Sequence, residues 1–192
     1  MLSLSPGYIW WTDDFAAGEV AKSELGVERV WTQAIVEYIA NLGLIDRGAV
    51  DEAYAKLVGF DYHATHFTGA VMIAAVRVSN GSMAAFPMRQ MIRAFEPLPL
   101  VDRNAAFRIL AEFILRVSLE PLLPETRCIA TKAFLNTFPS DTTTTTQMAS
   151  FRLQCARLMT LNPLAQVDFI KCFDQWNREK LTLNLLVKPS SS

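Results

Sequence analysis

One short aromatic run near the start constrains this chain most. Tyr8-Ile9-Trp10-Trp11-Thr12 is β-favouring, Pro6-Gly7 punctuates its beginning, and the acidic pair Asp13-Asp14 ends it. Such a segment reads as a short buried strand. Phe15 to Leu25 then reads as a helix, with Gly26 where a C-cap glycine belongs and the acidic pair at its positive end. Val27 to Trp31 is a second strand candidate. Thr32 is placed to cap a helix that runs to about Leu42 and ends at Gly43. A further helix covers about Gly48 to Val58. Strand, helix, strand, helix is the pattern of a parallel sheet with helices packed on it. The expectation is an α/β fold, with a partial parallel sheet and flanking helices over residues 1–96, followed by an all-α region over 97–192. The whole is helix-dominated.

The rest of the chain reads mainly as helices separated by breakers. Phe60 to Phe67 looks extended. Thr68 to Val78 and Met83 to Phe95 read as helices divided by the Asn80-Gly81 turn. Asp102 or Asn104 can cap a helix to about Leu119, apolar on most sides and therefore expected to be buried. Pro121 and Pro124 stop it, and Arg127 to Thr137 is a short helix. The polar run Pro139-Ser-Asp-Thr-Thr-Thr-Thr-Thr146 reads as a loop, followed by helices over about Gln147 to Leu161 and Pro163 to Lys180.

Composition excludes several classes. Hydrophobic residues make up 51% and charged residues 19%, which is enough apolar side chain to offset ordering entropy and excludes a disordered chain. A net charge of -1 provides no general basic field for nucleic acid or an anionic membrane. The halves differ: seven basic and eleven acidic residues fall in 1–96, against eleven and eight in 97–192. No apolar run approaches the roughly 20 residues that span a bilayer. Three cysteines, Cys128, Cys155 and Cys172, cannot complete a disulfide framework and point to a reducing, cytoplasmic setting.

The run Trp11-Thr-Asp-Asp-Phe-Ala-Ala-Gly-Glu-Val-Ala21, then Leu25-Gly-Val27, Val30-Trp-Thr32, Gly43-Leu-Ile45 and Leu57-Val-Gly-Phe-Asp-Tyr62, resembles the C-terminal half of a PIN-like domain. The resemblance covers roughly residues 7–80. PIN domains are metal-dependent ribonucleases, common in prokaryotic toxin–antitoxin pairs. The resemblance implies Asp13 and Asp14 as catalytic and metal-ligating residues, with Glu19 one helical turn beyond. The cofactor would be Mg²⁺ or Mn²⁺ and the substrate RNA, since hard cations prefer carboxylate oxygens and two such ions can cleave a phosphodiester. The family's first-strand Asp and a later upstream Glu fall before the matched part, and Gly18 stands where the family carries a basic residue. The implied protein is PIN-like and nuclease-related but catalytically incomplete, lacking the N-terminal half of that domain as a fragment of a longer gene product, through a misassigned start, or as a degenerate relative. A missing N-terminal segment or a protein partner would complete its sheet. An exposed apolar strand edge would then leave the chain alone poorly soluble or dimeric.

The remaining residues leave alternatives open. Asp13-Asp14 is equally a helix N-cap. His63 and His66 have a spacing that can bind zinc on a helix, but no third ligand accompanies them. Trp10, Trp11 and Trp31 suit a strand core better than base stacking. The apolar stripes of the second half suit helix packing or a partner groove. The alternative function is accordingly a non-enzymatic helical interaction or regulatory module.

Overall fold

The computed structural model describes residues 9–13, 15–26, 28–60, 67–139 and 141–187. It divides into two compact units, Met1–Tyr54 and Ala55–Ser192.

In the first unit, strand β1 (Trp10–Trp11) pairs in parallel with β2 (Arg29–Val30), Trp10 against Arg29 and Trp11 against Val30. Helix α1 (Phe15–Leu25) joins them, α2 (Thr32–Asn41) follows, and α3 (Arg47–Gly59) begins in this unit and ends in the second. Gly26, at φ 63°, ends α1 with its N–H donating to the Lys22 carbonyl at 3.1 Å. Gly43, at φ 72°, ends α2 the same way, donating to Ala40 at 2.8 Å. Both glycines adopt the left-handed backbone that side chains resist.

The α/β expectation is overturned. Among the described residues 73% are helical and 2% strand, and the strands there are one pair of dipeptides rather than a sheet with flanking helices. The physical reason lies in burial. Trp11 is 60% exposed and Ile9 is also exposed, so the face of the strand that carries them is uncovered. Helix α2 contributes no buried residue. Two paired residues cannot build an independently stable sheet, which needs several strands and a covered apolar face.

The second unit holds most of the core. It contains α4 (Gly69–Val78), α5 (Met88–Phe95), α6 (Leu98–Val101), α7 (Arg103–Val117), α8 (Pro124–Leu135), α9 (Thr142–Leu158) and α10 (Pro163–Val187). Helix α4 is the central one, with Val71 through Val76 all buried. The Thr68 side chain caps it by accepting from Val71 N–H. Helix α7 is not buried on most sides. Ala106, Leu110, Phe113, Ile114 and Val117 form a single buried stripe, while Arg108 and Arg116 face water. Asp102 caps it through Ala105 N–H at 2.9 Å. Ring contacts link the helices through the core: Phe95 meets Phe134 at 5.4 Å and Phe138 at 6.1 Å, and Phe107 meets Phe138 at 4.8 Å and Phe151 at 5.0 Å. The expected Met83–Phe95 helix is shorter, because turns occupy 83–87 and α5 begins after Pro87.

The threonine run is helix, not loop. Asp141 accepts from Thr144 N–H at 2.6 Å and from the Thr144 hydroxyl at 3.0 Å, and Thr144 is buried. A cap and a packed side chain here outweigh the weak helix propensity of threonine.

Candidate functional site

Asp13 follows β1 and lies half-buried. Its Oδ1 accepts the Thr32 N–H at 2.8 Å, and its Oδ2 accepts the Thr32 hydroxyl proton. The same hydroxyl accepts the Trp11 indole N–H at 3.0 Å. Thr32 is thus the first residue of α2 rather than its cap, and Trp31 at the N-cap position makes no side-chain cap bond. A carboxylate at this place satisfies an orphan helix donor and complements the helix dipole. Asp14, His63 and His66 lie outside the described residues. Glu19 pairs with Arg29 at 3.2 Å. The Arg29 guanidinium lies 3.8 Å from the Trp31 ring centroid, and its side chain crosses α1 where Gly18 leaves no Cβ in the way. The structure therefore brings Asp13 to Thr32 and Glu19 to Arg29. Among the described residues no group of three His, Cys, Asp or Glu side chains could hold a metal ion.

A second polar centre in the first unit was not foreseen. The buried Tyr54 hydroxyl donates to Glu37 Oε1 at 2.5 Å, and Arg47 donates to both Glu37 oxygens at 3.0 and 2.9 Å. Burial, reinforced by the Glu37 hydrogen bond and charge, pushes the Tyr54 phenol up to about 12.

In the second unit Cys128 and Cys172 form a disulfide joining α8 to α10, with Cα atoms 5.4 Å apart. Three scattered cysteines gave no sign of this pairing. Cys155 is a buried free thiol, which burial pushes up to about 12. Beside the disulfide is a void of about 30 Å³, bordered by Ser118, Pro124, Met159 and Ala165. The α7–α8 and α9–α10 connections therefore adjoin. Arg127 ties the region together, donating to the Ser118 carbonyl at 3.4 Å and to Asp168 at 3.0 Å. Leu119 and Leu123 on the first connection and Leu161 on the second are 73%, 70% and 99% exposed, and Leu164 in the first turn of α10 is 81% exposed.

A larger cavity, about 200 Å³, lies between the end of α8, the first half of α9 and the second half of α10. Its apolar wall includes Phe138, Met148, Phe173 and Trp176, all buried. The Trp176 indole donates to Asn136 Oδ1 at 2.8 Å, which fixes the ring. Arg152, Asp174 and Lys180 are its charged members. Arg152 and Asp174 form a two-point pair, both distances 2.9 Å. Burial lowers the Lys180 ammonium below its ordinary range. The signal available in the sequence was Phe173, Trp176 and Lys180, which share one face of α10 at helical spacing and end an apolar stripe in a cation.

No helix among the described residues is long and apolar enough to cross a membrane. Neither the protein-family models nor the curated proteins nor the solved structures compared with this chain give a match.

Proposed function

We propose that this chain is a non-enzymatic helical interaction module, with the C-terminal unit as its binding body and another protein as its partner. The observation that carries the reading is the exposure of Leu119, Leu123 and Leu161 on two adjoining connections and of Leu164 in the first turn of α10. Large apolar side chains held in water at neighbouring helix ends are favoured sites for a partner's apolar surface. The frame here is stiffened by the Cys128–Cys172 bond and the Arg127 contacts.

The engagement of both Asp13 oxygens by Thr32 supports a structural role for the acidic residue that the nuclease reading would assign to metal. RNA is a weaker partner on the same ground of occupied groups: Arg77, Arg103, Arg116, Arg127, Lys132 and Arg152 are all in ion pairs with acidic residues.

Photo-crosslinking in the native host tests the module reading. A benzophenone amino acid at position 161 or 164 is expected to yield a discrete protein adduct, whereas one at Arg108, on the water-facing side of α7, yields none. Absence of an adduct at 161 and 164, or the same adducts at all three positions, overturns it.

A further inference from the structure

We propose that the α8–α9–α10 cavity binds a small neutral aromatic molecule, one ring with a short uncharged substituent, held against Phe138, Met148, Phe173 and Trp176. The proposal stands apart from the exposed leucines and rests on size, wall chemistry and the way the polar groups around the cavity are already matched.

An apolar cavity of about 150 Å³ takes up benzene. The space here, about 200 Å³, accommodates a ring with a short substituent and excludes a nucleotide or a folded peptide segment. Its apolar wall is buried and held in place. Phe138, just beyond α8, packs on Phe107 at 4.8 Å and on Phe95 at 6.1 Å between ring centroids. On α10, the Trp176 indole donates to Asn136 at 2.8 Å and meets Phe173 edge-on at 5.2 Å. Met148 brings a thioether from α9. Ring edges and a polarizable sulfur favour an aromatic guest over an aliphatic one. Walls fixed in this way leave little to order on binding, which lowers the entropic cost of association.

The polar groups then decide the charge of the guest. Arg152 and Asp174 satisfy each other through two hydrogen bonds, both 2.9 Å. Lys180 is engaged as well, its Nζ 5.9 Å from the Trp176 ring centroid. The Thr144 and Thr145 hydroxyls each donate to Asp141 at 3.0 Å. An anion would compete with Asp174 for Arg152, and a cation would compete with Arg152 for Asp174. Either would give up its hydration to replace a pairing that already exists, so charge on the guest weakens binding. A neutral ring disturbs none of these contacts.

Calorimetry on the full chain with three planar probes of one shape tests this: acetophenone, benzoate and benzamidinium. Acetophenone is expected to bind about tenfold tighter than either ion, which would be buried without a new partner. Methyl spectra of carbon-13-labelled methionine locate the probe. The Met148 signal, assigned with Met148→Leu, should shift under the ring current of acetophenone, while that of Met72 in α4 stays in place. Ala149→Phe, a change on an exposed position of α9 at the cavity, should weaken binding about tenfold, with circular dichroism establishing its fold. If that variant does not fold, the methionine signals decide alone. Absence of saturable binding of acetophenone to the wild-type protein overturns the site. Binding of benzoate or benzamidinium as tight as that of acetophenone overturns the assignment of a neutral guest. An unmoved Met148 signal, or undiminished affinity in a folded Ala149→Phe, places the probe elsewhere and also overturns it.

Discussion

Asp13 holds the first turn of α2 from nineteen positions away, its Oδ1 taking the Thr32 N–H at 2.8 Å while its Oδ2 takes the Thr32 hydroxyl. A local N-cap would come from the residue just before the helix. Here the chain goes through β1, α1 and β2 first, so the carboxylate ties the ends of a parallel strand–helix–strand unit to the helix that follows.

Removing that tie should cost the first unit a cap. Asp13→Ala is expected to destabilise by about 1 kcal/mol, the usual worth of a lost N-cap carboxylate. Urea titration followed by circular dichroism measures it. The same experiment bears on chemistry. Asp13→Asn combined with Asp14→Asn should leave Mg²⁺- or Mn²⁺-dependent RNA cleavage at the wild-type background. A drop specific to the double variant would restore the nuclease reading and remove the module proposal's account of Asp13.

Tyr54 and Glu37 give a prediction at alkaline pH. The phenol titrates near 10.0 when unfolded and is raised to about 12 in the folded chain. The neutral form is the one folding favours. Its stabilisation is therefore complete below pH 10 and is lost as pH rises towards 12. Tyr54→Phe, which lacks the hydrogen bond to Glu37, should be less stable than wild type by about 1 kcal/mol at pH 7. That gap should close as the pH is raised, because phenylalanine has no proton to lose. Urea titrations at pH 7 and pH 11 check the sign. A gap unchanged between them means that Tyr54 is not held in its neutral form.

The Cys128–Cys172 bond closes a loop with a sequence separation of 44. Loop-entropy arguments put its contribution at about 4 kcal/mol as an upper figure. Reduction, or Cys128→Ser with Cys172→Ser, should lower the melting temperature markedly. Cys155 should stay silent towards Ellman's reagent in the native protein, since burial keeps its thiol protonated. One thiol should then appear on denaturation and three on denaturation with reduction. Three thiols without reductant would remove the disulfide from the account of this fold.

Helix identity was largely legible in the sequence and layer architecture was not. Thr68 and Asp102 each begin a helix with the hydrogen bond their side chains make possible, because capping is local chemistry. The aromatic run at Trp10-Trp11 has strand propensity, but a sheet depends on how many neighbours a strand finds, and that is long-range information. Asp141 shows the reverse failure. The threonines after it look like a polar loop, and only the cap at Thr144 and the burial of that side chain make them helix. The cavity escaped notice because Phe138, Met148 and Trp176 come from three segments whose convergence no spacing reveals.

Asp141 carries that last contrast into a measurement. Hydrogen bonds from the Thr144 backbone, and then from its hydroxyl and Arg103, hold its carboxyl below the ordinary value. A depressed carboxyl stabilises the fold above its unfolded titration near 3.8, and the benefit disappears as pH falls through the lower folded value. Asp141→Ala should therefore weaken α9 at pH 7. It should differ little from wild type once the pH is well below the carboxylate range. Amide exchange across Thr144 to Phe151 resolves the effect to the first turns of α9. Faster exchange there at pH 7, with the core of α4 unaffected, is the expected result. A uniform loss across both helices would mean that Asp141 supports the whole unit through Arg103, rather than one helix end through Thr144.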